Sequence, residues 1–203
     1  SQYKIQRLVL VPSLLRTILE QQDQMLQKLD SMKYWFCSGE DLPADLVKLF
    51  YEKLSEGCLL NIYGSSEVSA DSLTYRVENQ DIHRVPIGKP INNTQVYVLD
   101  KFLNLVPVGV SGELHLGGVG LARGYLNSPD LTAEKFIDNP FGEGRLYKTG
   151  DLARWLPDGN IEFLGRIDHQ IKVRGFRIEP GEIEHALGTL GIDNAIVAAK
   201  DDA

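Results

Sequence analysis

The first 76 residues alternate short apolar runs with amphipathic stretches, and this pattern constrains the fold more than any other feature of the chain. Residues 8–11 are an apolar run, 33–37 read as a strand, and Cys58 to Tyr63 form a third. Between the first two, Leu14, Leu15, Ile18, Leu19, Leu26 and Leu29 recur at helical spacing, with Ser13 placed to cap. Between the next two, Pro43 precedes Leu46, Val47, Leu49, Phe50 and Leu54, and Gly57 closes that helix. A β-α-β-α-β order needs helical crossovers, so these strands are expected to lie parallel beneath a helical layer.

After Asp71 the texture changes. Strand-like pieces over 72–77, 95–100, 112–117, 152–156 and 161–165 are separated by Gly, Pro and Asn turns. Leu156-Pro-Asp-Gly-Asn-Ile161 is a strong hairpin signal, and Ser128-Pro129 opens a short helix with Ser128 as its cap. A last helix over 181–190 precedes an apolar run at 195–199 that reads as the start of another strand. The expected fold class is α/β. Residues 1–76 form part of a parallel α/β subdomain, 77–167 an antiparallel β-rich subdomain, and 168–203 the beginning of a small α+β unit.

Charge and composition remove several function classes. A net charge of −7, with no run of Lys and Arg, argues against a nucleic-acid partner recognised through phosphates. No apolar run approaches the roughly 20 residues of a membrane span. Two cysteines are too few for a disulfide framework and fit a reducing, cytoplasmic setting. The amino end carries neither Met nor an apolar leader, so the sequence is expected to be a piece of a longer protein. Four histidines lie scattered, none at metal-ligand spacing. Gly118-Val-Gly120-Leu-Ala-Arg-Gly124 places its third glycine one residue late for a dinucleotide loop, and neither a serine-hydrolase elbow nor a Walker loop is present.

Three segments carry chemistry. Asn61-Ile-Tyr-Gly-Ser-Ser-Glu67 lies at the carboxyl end of an apolar strand, where α/β sheets bind ligands. It offers an aromatic face, a glycine, two hydroxyls and a carboxylate, a set that suits a nucleotide with a hard metal ion. The same residues also make an ordinary polar turn with Tyr63 in the core. Tyr147-Lys-Thr-Gly-Asp-Leu152 places Asp151 in a Gly-bounded turn, able to accept from a ribose diol or simply to stabilise the turn. From Arg145 to Arg177 there are seven Lys or Arg against four Asp or Glu, with Gln170, Lys172 and Arg174 on one strand face. That face is either solvated or turned toward a polyanion such as ATP.

Together with Ser38-Gly-Glu-Asp-Leu-Pro43 and Gly112-Glu-Leu-His-Leu-Gly-Gly-Val-Gly-Leu-Ala-Arg-Gly-Tyr-Leu126, these segments occur in the order found in the adenylate-forming superfamily. The chain most closely resembles the amino-acid adenylation domains of nonribosomal peptide synthetases. The resemblance implies activation of an amino acid as its adenylate, using ATP and Mg²⁺, with release of pyrophosphate. The aminoacyl group then passes to the phosphopantetheine thiol of a peptidyl carrier protein, with other synthetase domains as neighbours. By motif position, Tyr63 stacks on adenine, Asn61 and Gly64 flank it, and Gly39 and Glu40 line the base. Ser66 meets the α-phosphate, Glu67 holds Mg²⁺, and Asp151 binds the ribose with help from Arg166. Asp168 matches the hinge of the small subdomain, and the stretch from Gln170 to Gly175 faces the site for thioester formation. The matching substrate-pocket positions are Phe36, Ser38, Ile62, Ala70 and Asp71, with Val9 beside them.

The sequence departs from the family pattern in four respects. Ser65-Ser66 replaces the usual Pro-Thr, and Pro180 stands where Leu is commoner. The family's phosphate loop and distal lysine are not among these 203 residues, whether by truncation or true loss, so the piece alone is expected to be inactive. An acyl-CoA or fatty-acyl-AMP ligase shares this nucleotide site and is the alternative enzyme. A nucleotide-binding module without catalysis is the third reading.

Overall fold

A computed structural model describes residues 4–21, 29–78, 83–168, 170–173, 175–192 and 196–197. The first sheet runs β1 (Arg7–Leu10), β2 (Tyr34–Ser38), β3 (Cys58–Tyr63), β4 (Leu73–Val77) and β5 (Lys89–Pro90), in that spatial order. β1, β2 and β3 pair in parallel, as their helical crossovers require, and β4 returns antiparallel on β3. Helices α1 (Pro12–Glu20) and α2 (Ala44–Lys53) cover one face. Leu15, Leu19, Trp35, Leu46, Phe50 and Leu59 form the buried core there, with the Trp35 and Phe50 rings packed edge to face at 5.9 Å.

The second sheet is antiparallel, in the order β10 (Ile161–Arg166), β9 (Arg145–Trp155), β7 (Gly112–Gly118), β6 (Thr94–Leu99). The short β8 (Phe136–Asp138), preceded by α3 (Pro129–Lys135), also pairs with β9. Its core joins Leu114, Leu116, Tyr147 and Ile161 to Val68, Leu73 and Ile87 from the first sheet and its loops, so one apolar cluster spans the junction. Backbone bonds reinforce it: Ile87 N–H donates to Ile161 O at 2.8 Å, and Ile161 N–H to Gly88 O at 2.8 Å. Beyond Asp168 come the hairpin β11 (Ile171–Val173) and β12 (Phe176–Ile178) and helix α4 (Pro180–Thr189). Among the described residues no helix is long and apolar enough to cross a membrane.

Three local expectations change. Helix α1 begins at Pro12, one residue before Ser13, so Ser13 is not its cap; its N–H and hydroxyl instead donate to the Glu40 carboxylate at 2.9 and 3.0 Å. Ser128 does precede α3, but its side chain makes no capping bond; its carbonyl accepts from Thr132. Asp151 is not in a turn. It lies inside the eleven-residue strand β9, because Gly150, at φ +71°, is absorbed where the β7–β9 register shifts. The apolar run at 195–199 falls largely outside the described residues, as do His169 and Arg174.

Candidate active site

The loop after β3 is shaped by its own backbone. Ala70 N–H donates to Ser65 O at 2.9 Å and Ser72 N–H to Tyr63 O at 2.8 Å, closing residues 65–71 back onto the strand end. A Cβ at Gly64 would lie 1.6 Å from Ala70 O, so only glycine permits this closure. Ser66, Glu67 and Val68 form a short 3₁₀ turn that carries the Glu67 side chain inward. Asn61, buried below, donates to Pro86 O at 2.9 Å and ties the strand to the segment crossing it.

Strand β9 brings Asp151 to the same place. The Tyr63 hydroxyl donates to its Oδ2, and Arg166 Nη1 contacts Oδ1 at 2.8 Å. Arg166 also donates from Nε to Asp168 at 2.8 Å, so one guanidinium joins the expected ribose ligand to the hinge position. Burial, and then the neighbouring Asp151 carboxylate, hold the Tyr63 hydroxyl protonated well above its ordinary pKa. Burial would raise the Asp168 pKa, but the Arg166 contacts outweigh it and hold the carboxyl below its usual range.

A cavity of about 310 Å³ opens over this network, lined by Gly39, Glu40, Asn61, Ile62, Tyr63, Gly64, Asp151, Arg166 and Gln170 among others. It continues into a second of about 160 Å³ that shares Gly39, Tyr63, Gly64, Asp151, Arg166 and Gln170 and adds Ser65, Ser66, Gly175 and Arg177. The larger part is mainly apolar around Tyr63, Ile87 and Phe163, and the smaller part is ringed by hydroxyls and guanidinium groups. An aromatic, apolar compartment leading into a hydroxyl- and cation-rich one suits a base joined to phosphates.

The base, ribose and phosphate positions expected from the sequence therefore meet in one cleft; Glu67 does not line it and adjoins it through Arg177. Three buried polar atoms there, Ser65 Oγ, Glu67 Oε2 and Gln170 Oε1, have no hydrogen-bond partner among the described residues. Unpaired buried oxygens of this kind fit a hydroxyl-accepting phosphate and a cation-bearing ligand. Glu67 also fits a hard divalent ion, being a buried carboxylate with one free oxygen. No group of three or more His, Cys, Asp or Glu side chains that could hold a metal occurs among the described residues, so a cation here would draw its other ligands from phosphate and water.

The substrate-pocket positions are less gathered. Register puts Val9 beside Phe36, and Ser38 beside Ile62, on the sheet face opposite Trp35, Cys37 and Leu59. Ile62 lines the cavity, whereas Phe36, Ser38, Ala70 and Asp71 do not. Ala70 and Asp71 sit exposed in the returning loop, with Ala70 at φ +73°.

Two site residues had no role in the sequence reading. Tyr125 donates its hydroxyl to Glu67 Oε1 at 2.8 Å, and Arg177 Nη1 meets the same oxygen at 2.6 Å. Burial alone would raise the Glu67 pKa; the Tyr125 hydroxyl, Glu67's own backbone N–H and the Arg177 guanidinium outweigh it and bring the carboxyl down to about 2. Tyr125 belongs to the quoted Gly112–Leu126 motif and Arg177 to the basic stretch, which are the only local hints of either.

Known proteins share this fold. A family model described as AMP-binding enzyme matches residues 1–126. Bacitracin synthase 3 of Bacillus licheniformis is 49% identical over 202 residues, covering 98% of this chain and 3% of that protein. Tyrocidine synthase 1 of Brevibacillus parabrevis is 49% identical over 180 residues, covering 87% of this chain and 16% of that protein. The chain thus spans a small part of each relative. Among solved structures, PA1221, an NRPS protein containing adenylation and PCP domains, superimposes with a TM-score of 0.85 at 27% identity, covering 92% of this chain and 33% of that one. NpsA-ThdA, an artificially fused adenylation-PCP di-domain from Klebsiella oxytoca, gives 0.80 at 31% identity, covering 92% and 35%. With more than half its length matched and its fold shared, the chain belongs to the AMP-binding enzyme family, among the adenylation domains of nonribosomal peptide synthetases.

Proposed function

We propose that this chain supplies the nucleotide-binding part of an enzyme that activates an amino acid with ATP and hands it to a carrier-protein phosphopantetheine. The observation that carries this reading is the convergence of Tyr63, Ser65, Ser66, Asp151 and Arg166 on one cleft from three strands and the loop after the first, the other two strands being far from it in sequence. In the first half-reaction a substrate carboxylate oxygen bonds to the α-phosphorus of ATP and the bond to the bridging oxygen breaks, releasing pyrophosphate. In the second, a thiol sulfur bonds to the acyl carbon and AMP leaves.

The residues act mainly by positioning and charge. Tyr63 provides the stacking face for adenine. Asp151 accepts from the ribose hydroxyls, and Arg166 orients that carboxylate. The Ser65 and Ser66 hydroxyls donate to α-phosphate oxygens, and the Glu67 carboxylate would hold a magnesium ion, which when bound would supply positive charge beside the phosphate oxygens. Asp168, gripped by Arg166, is the point about which the following hairpin and helix reorient between the two steps.

The test is exchange of labelled pyrophosphate into ATP by the protein in its full natural length, across a panel of amino acids. Exchange dependent on one or a few amino acids is expected. Exchange driven only by a fatty acid would transfer the assignment to the acyl ligases, and nucleotide binding without exchange from any carboxylic acid would overturn the enzymatic reading.

A further inference from the structure

The two carboxylate oxygens of the buried Glu67 differ. Oε1 accepts from the Tyr125 hydroxyl at 2.8 Å, whereas Oε2 is buried without a hydrogen-bond partner among the described residues. Arg177 also meets Oε1, but from beyond Asp168; Tyr125 packs on the same apolar cluster as Val68, the neighbour of Glu67. Two further bonds stitch the segment before Tyr125 to the turn that carries Glu67. Ala122 N–H donates to Glu67 O at 2.8 Å, and Ser69 Oγ donates to Gly120 O at 2.8 Å.

Tyr125 is itself fixed. Its N–H donates to Thr132 Oγ1 at 2.9 Å, and that hydroxyl donates to Ser128 O at 2.8 Å. Its ring meets Phe136 edge to face at 5.6 Å. Gly124 permits this approach: at φ +144°, a Cβ there would lie 2.4 Å from Thr132 Cγ2. Helix α3 and the loop before it thus bring one hydroxyl to one oxygen of Glu67. Tyr125 lines neither part of the cleft, so it reaches the nucleotide site only through that carboxylate.

We propose that Tyr125 is the positioning residue for Glu67, its hydroxyl fixing the carboxylate so that Oε2 is presented to the divalent ion. The inference rests on the metal role proposed for Glu67 above. A carboxylate free to turn about its last bonds must be ordered when a cation binds, and that ordering opposes binding. With Oε1 occupied, the ordering is already done and Oε2 is the oxygen left to donate a lone pair. The phenol is a neutral donor, so it orients the carboxylate without cancelling the charge that attracts a cation.

The test uses the protein in its full natural length. Mn²⁺ is titrated in at saturating AMP and followed by water-proton relaxation, and AMP affinity without metal is measured by calorimetry. Tyr125→Phe, which deletes one oxygen atom, is expected to weaken Mn²⁺ binding about 10- to 100-fold, the ordinary cost of losing a group that orients a metal ligand. Its metal-free AMP affinity is expected to stay unchanged, and Glu67→Gln should lose Mn²⁺ at least as severely. If Glu67→Gln weakens Mn²⁺ binding and Tyr125→Phe does not, the positioning role is overturned and the metal role stands. If Glu67→Gln binds Mn²⁺ as the unaltered protein does, the metal role fails and the proposal fails with it. Equal losses of Mn²⁺ and of metal-free AMP in Tyr125→Phe would mean general damage to the site, and would also overturn the proposal. Should Tyr125→Phe not fold, Thr132→Val, which releases the Tyr125 backbone, decides: loss confined to Mn²⁺ supports the positioning role, and any other result overturns it.

Discussion

Arg166 holds Asp151 at 2.8 Å through Nη1 and grips Asp168 through Nε and Nη2, so one side chain couples the floor of the cleft to the start of the small unit. Only a planar fork can serve both carboxylates, and an ammonium cannot. Arg166→Lys is therefore expected to weaken AMP binding by about tenfold, equivalent to one charge-assisted hydrogen bond. Calorimetric titration of the purified chain with AMP reads this directly.

Asp151 is 6% exposed and lines the cleft. Asp151→Asn should reduce AMP affinity about 10- to 100-fold, since hydrogen bonds to a charged group contribute ~1.5–3 kcal/mol. The informative comparison is a 2′,3′-dideoxy nucleotide. The unaltered chain should bind it as weakly as Asp151→Asn binds AMP, and the variant should lose little more when the hydroxyls are removed. Additive losses would show that Asp151 does not meet the ribose.

Gly150 combines φ +71° with crowding: a Cβ would lie 2.6 Å from Asp168 Oδ2 and 2.9 Å from Arg166 Nη2. Gly159 has a similar φ of +78° in the hairpin turn, but its nearest neighbour would be Lys89 at 3.7 Å. Gly159→Ala should cost about 1 kcal/mol and lower the melting temperature by ~2–4 °C. Gly150→Ala should cost about 3 kcal/mol, because strain and displacement of the Arg166–Asp168 pair act together. Thermal unfolding of the two variants side by side separates these contributions.

Glu67 carries a pH signature. Its pKa falls from 4.5 to about 2 in the folded chain, so the unfolded state binds the proton more readily. The stabilisation is complete above the unfolded value and is lost as pH falls toward the folded one. The urea midpoint of the unaltered chain should drop between about pH 6 and about pH 3, and Glu67→Gln should drop less over the same interval. Equal losses would mean that other carboxylates carry the acid sensitivity.

How much of this was legible in the sequence depends on how local each signal is. The run Cys58–Tyr63 is β3 to the residue, and the Leu156–Ile161 turn forms as its Pro-Asp-Gly-Asn signal requires, with Leu156 N–H donating to Asn160 O at 2.8 Å. Asp151 was readable as a candidate site residue but not as a strand residue, since Gly150 signals a turn locally while the pairing with β7 absorbs it as a register shift. Ser13 looks like a cap, yet its partner is Glu40, 27 residues on, and nothing near Ser13 encodes that. Tyr125 and Arg177 went unread for the same reason. Each gains its role only when the fold brings it to Glu67 across 58 and 110 residues.

The most direct test of the shared nucleotide cleft is a crystal structure of the chain soaked with AMP. The account predicts the adenine ring against Tyr63, both ribose hydroxyls on the Asp151 carboxylate and the phosphate beside Ser65 and Ser66. Saturable AMP bound anywhere else on the molecule, with this cleft vacant, would contradict it.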